Sequence, residues 1–132
     1  MRITPDTSLL VRAIIGDDPV QSAAAQAELA AAVEVMLALP ALCELVWVLT
    51  QGYKVAPDRV AAAIRRLINS SNVVLNRRAA EAGLALLSAG GDFADGVIAY
   101  EGRWLGSDIF VSFDHGAVEL AQAQGEPARV LT

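Results

Sequence analysis

Five carboxylates, Asp6, Glu44, Asp92, Asp95 and Asp114, stand where acidic side chains can do chemistry. Asp6 and Asp114 each end a strand-like run and precede a helix-like segment. Asp92 and Asp95 are three apart at the opening of another helix, so they share one face of it. Glu44 is the one charge in the apolar run from Leu42 through Cys43, Leu45, Val46, Trp47 and Val48 to Leu49. Oxygen-only donors suit a hard divalent cation, Mg2+ or Mn2+. Such an ion keeps several waters, orients a phosphate and lowers the pKa of bound water. The chemistry this set points to is hydrolysis of a phosphodiester bond.

Each acid also has a structural reading. Asp6, Asp92, Asp95 and Asp114 lie at or just inside helix starts, where a carboxylate accepts backbone N–H groups and meets the positive end of the helix dipole. Glu44 has no basic residue three or four positions away; those positions hold Pro40, Ala41, Trp47 and Val48. A carboxylate buried on such a helix costs several kcal/mol unless a partner, a raised pKa or a metal compensates. A metal ligand and a structural pair with Arg12 both remain open for it. His115 reads as a surface residue at a helix start, Trp47 and Trp104 as core or dimer-interface residues, and Cys43 as buried and inert. Arg65, Arg66, Arg77 and Arg78 read as exposed helix-terminal charges, with contact to RNA phosphates as the alternative.

The elements that must position these residues alternate. A β-like start over 2–5 leads to a helix over 7–15, a second helix over 20–32 and a buried strand over 35–39. Pro40 opens a helix over 41–51, Pro57 and Asp58 open one ending near 69, and a strand follows over 73–75. Helices over 77–88 and from 92 or 93 to 105, a strand over 109–113, a helix over 116–124 and an edge strand over 128–131 complete the chain. Alternation of this kind predicts an α/β fold with a mainly parallel sheet, with ligands bound beyond the carboxyl ends of the strands. Asp6 and Asp114 project there.

With 132 residues, 55% of them hydrophobic, the chain is sized for one domain. The single cysteine excludes an intramolecular disulfide and a cysteine-based zinc site, and fits a reducing cytoplasm. No signal-peptide pattern and no apolar stretch of about 18 residues is present, so no membrane association is expected. A net charge of −5 argues against nucleic-acid binding by a broad basic surface. It leaves a carboxylate–metal nuclease open, because bound cations invert the charge that a phosphate meets.

Four segments resemble the PIN-domain family, and more narrowly the VapC-type toxins of bacterial toxin–antitoxin pairs. Asp6-Thr7-Ser8-Leu9-Leu10-Val11 resembles the opening acid followed by a hydroxyl residue, and Pro40-Ala41-Leu42-Cys43-Glu44-Leu45 resembles the helix bearing the second acid. Asp92-Phe93-Ala94-Asp95-Gly96-Val97 is similar to the family's two acids bracketing two residues, and Phe110-Val111-Ser112-Phe113-Asp114 to its late strand ending in the last acid. Gly96 stands where alanine is more usual, and Ser112 where threonine is.

The resemblance implies a three-layer α/β/α fold over 1–132, with a mainly parallel central sheet of four to five strands. It implies metal-dependent endoribonuclease activity, with Asp6, Glu44, Asp95 and Asp114 as Mg2+ or Mn2+ ligands and Asp92 as a supporting acid. Thr7, Ser8 and Ser112 become hydrogen-bond donors that hold the carboxylates. An RNA substrate, a small cognate antitoxin and a homodimer are the implied partners. The competing readings are a PIN-like binding module that cuts nothing, a haloacid-dehalogenase-type phosphatase and a phosphoacceptor receiver domain. The last two lack a suitably placed lysine, since Lys54 is the only one, and the phosphatase also lacks a second acid two residues after Asp6.

Overall fold

A computed structural model describes every residue from Met1 to Thr132. The residues divide into two compact units, Met1–Asn76 and Arg77–Thr132.

The first unit holds β1 (Arg2–Ile3), α1 (Thr7–Ile14), α2 (Pro19–Ala31), β2 (Glu34–Met36), α3 (Leu39–Trp47), a π-helical turn (Val48–Gly52), α4 (Pro57–Ile68) and β3 (Val73–Val74). Its strands pair in the order β1-β2-β3, all parallel, with Ile3 opposite Val35 and Val35 opposite Val73. Parallel neighbours need a crossover, and α1 with α2, then α3 with α4, supply it. Leu10 of α1, Val35 of β2, Leu42 and Leu45 of α3, and Val60, Ile64 and Ile68 of α4 are buried. Pro19 and Pro57 each sit in a helix's first turn, where the missing N–H is not needed.

The second unit holds α5 (Arg77–Ser88), α6 (Phe93–Trp104), β4 (Phe110–Ser112), α7 (His115–Ala123) and β5 (Ala128–Val130). Strands β4 and β5 are parallel with Phe110 opposite Ala128, and α7 is their crossover. Phe110 and Val130 pack against a small core of Val118, Ala121 and Ala128. Helices α5 and α6 approach unusually closely because two glycines face the contact. A Cβ on Gly83 would lie 2.7 Å from the Phe93 ring, and one on Gly96 would fall on the Ala82 carbonyl oxygen. Alanine at 96 would therefore force the backbone of the two helices to shift.

The α/β class, the alternation and the parallel pairing agree with the sequence reading. The five strands are distributed as a three-stranded and a two-stranded sheet. Two boundaries differ for physical reasons. The expected strand over 35–39 stops at Met36, because Leu39 and Pro40 already form the first turn of α3. The expected helix over 41–51 changes to π geometry at Val48, a break that hydrophobic periodicity does not report. No helix is long and apolar enough to cross a membrane.

Candidate active site

In the first unit, Asp6 caps α1. Its Oδ1 accepts the Leu9 N–H at 3.0 Å and the Ser8 hydroxyl at 2.8 Å. The Leu9 N–H first, and then the Ser8 hydroxyl, hold this carboxyl below the usual aspartate value. Both bonds use one oxygen, so capping leaves Oδ2 for another partner. Asp6 opens onto a cavity of about 480 Å3 that it lines with Thr7, Ser8, Val11, Arg12, Glu44, Val48 and Tyr53. Glu44 and Asp6 thus share one concave surface although they come from different helices.

Glu44 is exposed, which overturns the expectation of a carboxylate buried among apolar neighbours. Helix α3 turns Leu42, Leu45 and Val46 inward, while Glu44 and, three residues on, Trp47 lie on its outer face, with Trp47 63% exposed. Trp47 is therefore not a core residue. The alternative pairing of Glu44 with Arg12 is not made either, since Arg12 donates from Nη1 to Asp17 Oδ1 at 2.8 Å. Glu44 lines the cavity with no ion pair to a basic residue. Cys43 is half-buried rather than buried.

In the second unit, Asp92 caps α6 by accepting the Ala94 N–H at 3.2 Å, and Asp114 caps α7 by accepting the Ala117 N–H at 3.1 Å. The Ser112 hydroxyl accepts the Asp114 N–H at 3.0 Å, so it braces the backbone of Asp114 rather than its carboxylate. His115 is exposed at the first position of α7, and Trp104 is 75% exposed at the end of α6 rather than in the core. Asp95 is the member that caps nothing. It is half-buried in the first turn of α6, and burial first, then the charges of Asp92 and Asp114, push its carboxyl above the usual value.

No group of three or more His, Cys, Asp and Glu side chains stands close enough here to form a ready-made metal cage. The chemistry of the donors nonetheless fits a hard divalent cation. All are carboxylates, and burial, then repulsion from Asp92 and Asp114, raise the Asp95 carboxyl. The sequence missed the wall of the first unit's cavity formed by Arg12 and Tyr53, which meet on Asp17. Spacing gave no signal for it, because the π-turn shifts the register between Glu44 and Tyr53.

No curated protein matches the chain. A sequence profile described as the PIN domain matches residues 3–123, a span containing all five carboxylates. The match covers well over half of the chain, and on that ground the protein belongs to the PIN-domain family, whose members are in general metal-dependent nucleases.

Proposed function

We propose that this protein is a Mg2+- or Mn2+-dependent endoribonuclease of the VapC toxin type. Asp6, Glu44, Asp95 and Asp114 are its cation ligands and Asp92 is a supporting acid. The observation that carries the reading is the PIN-domain match over residues 3–123, which contains all five carboxylates; beside it, Asp95 is half-buried in the first turn of α6, and burial first, then Asp92 and Asp114, raise its carboxyl. A carboxyl raised by burial together with specific charged neighbours is a candidate functional group. On this reading residues 1–132 work as one domain, and the profile match over residues 3–123 supports it.

When bound, a divalent cation supplies positive charge against the phosphodiester oxygens and acidifies a coordinated water. The chain's own residues do the rest. Ser8 and the Leu9 N–H fix the Asp6 carboxylate in one orientation, leaving Oδ2 free. Ser112 fixes the Asp114 backbone, and Thr7 lines the cavity beside Asp6. The close α5/α6 crossing at Gly96 sets where Asp95 stands. RNA is the substrate, and a small cognate antitoxin with a basic side chain is the inhibitor, a pairing that suits a net charge of −5. Exposed Trp104 and Phe113, at 75% and 74%, offer apolar surface for a homodimer.

The second reading, a PIN-like module that binds a partner and cuts nothing, is favoured by the lack of a preformed three-ligand cage. One experiment separates the two. Purified protein, freed of copurifying partners, is incubated with total RNA and Mg2+ or Mn2+, alongside EDTA, Asp6→Asn and Glu44→Gln controls. The nuclease reading expects discrete fragments that vanish in every control. Intact RNA with the wild type, and no rise in melting temperature on adding metal, favours the binding module.

A further inference from the structure

Tyr53 stands in the wall of the same cavity as Asp6 and Glu44 and is the one aromatic residue lining it. Its hydroxyl donates to Asp17 Oδ2 at 3.2 Å, while Arg12 Nη1 donates to Asp17 Oδ1 at 2.8 Å. One carboxylate thus ties the tyrosine to the arginine, which fixes the ring and spends its hydroxyl on the protein. The residue is 39% exposed, and with its hydroxyl taken up by Asp17 the aromatic face is what Tyr53 has left to offer a ligand in the cavity.

The backbone is shaped to put it there. After Trp47 the chain takes a π-helical turn, Val48–Gly52, closed by the Tyr53 N–H on the Val48 carbonyl at 3.0 Å. The Thr50 hydroxyl donates to the Val46 carbonyl at 2.8 Å, tying the turn back to the end of α3. Lys54 then adopts φ 56°, a left-handed conformation unusual for a residue other than glycine, and ends the helix. One extra residue in a helical turn rotates everything after it by about 100°, and such insertions recur at functional sites.

Resting on the ribonuclease reading, we propose that Tyr53 is the stacking platform for a base of the RNA strand beside the Asp6–Glu44 cavity. Asp17 and Arg12 are positioning residues that hold its ring. A fixed aromatic face accepts any unpaired base, and single-stranded segments are what proteins read in RNA. The platform therefore sets binding and strand placement rather than bond cleavage.

The test measures kcat and KM on a single-stranded oligoribonucleotide for wild type, Tyr53→Ala, Tyr53→Trp and Asp17→Asn. A parallel substrate series places one abasic site at successive positions. Tyr53→Ala should raise KM about tenfold with kcat little changed, as loss of one stacked base does. Tyr53→Trp should restore KM, Asp17→Asn should raise it less, and one abasic position should weaken binding by the wild type but not by Tyr53→Ala. Tyr53→Trp keeps a ring, so a folding defect in Tyr53→Ala does not decide the matter. A wild-type KM in Tyr53→Ala, or a Trp variant as weak as the Ala variant with no abasic position distinguishing them from wild type, overturns the platform and leaves the nuclease standing. Absence of cleavage by the wild type itself overturns both.

Discussion

Asp6 and Asp95 are both aspartates at the N-terminal end of a helix, and the two units treat them in opposite ways. Asp6 is exposed, accepts the Leu9 N–H and the Ser8 hydroxyl, and ionises more readily than a free aspartate. Asp95 lies one turn further into its helix, half-buried, with two like charges acting on it, and ionises less readily. The first arrangement stabilises the fold whether or not a ligand arrives. The second costs the fold something at neutral pH, which is the pattern expected where stability is given up for a ligand.

The largest effect that would sharpen this contrast is on activity. Asp95→Asn should reduce metal-dependent RNA cleavage by at least about a hundredfold, the scale seen when one electrostatic contributor to a transition state is removed. The same substitution should raise the melting temperature of the metal-free protein, because it removes a half-buried charge and, with it, the repulsion from Asp92 and Asp114. Activity and stability moving in opposite directions is the signature; a fall in both would make Asp95 an ordinary structural residue.

Next in size is Gly96→Ala. A Cβ there meets the Ala82 carbonyl and the Gly83 backbone, and backbone cannot yield as a flexible side chain can. Overpacking of this kind costs about 2 kcal/mol, visible as a lower urea midpoint, and cleavage should fall as α6 and Asp95 shift. Unchanged stability would show that the helices separate easily and that Gly96 positions nothing.

A smaller effect separates the two aspartates by pH in metal-free protein. The Asp6 carboxyl lies below its unfolded value near 3.8, so its stabilisation is present above that pH and is lost as pH falls through the folded value. The Asp95 carboxyl lies above its unfolded value near 3.8, so its contribution is present below that pH and is lost as pH rises through the folded value. The melting-temperature difference between Asp95→Asn and wild type should therefore open up as pH rises from below 3.8 toward neutrality, whereas that between wild type and Asp6→Ala should close as pH falls below it. Parallel curves for the two variants would contradict the assignment.

The sequence carried the class of fold and the positions of the acids, for reasons the structure makes plain. Apolar periodicity located every helix to within a few residues, since Leu42, Leu45 and Val46 or Val60, Ile64 and Ile68 are at once the pattern and the core. Asp6, Asp92 and Asp114 stood out because the residue types that cap helices also ligate cations, and the structure has all three capping. The burial of Glu44 was misjudged because a run of apolar neighbours does not say which face of a helix is covered. Tyr53 was invisible because its placement depends on a π-turn and on the Asp17 bridge, contacts between residues 36 apart that no local pattern encodes.

The most direct test of the central claim, that these carboxylates bind a divalent cation, is a calorimetric titration of Mn2+ into metal-free wild type and Asp95→Asn. Saturable binding by the wild type, lost or weakened at least about tenfold in the variant by removal of one charged ligand, is the predicted result. Equal binding by both proteins, or none by the wild type, would contradict it and leave Asp6, Asp92 and Asp114 as helix caps.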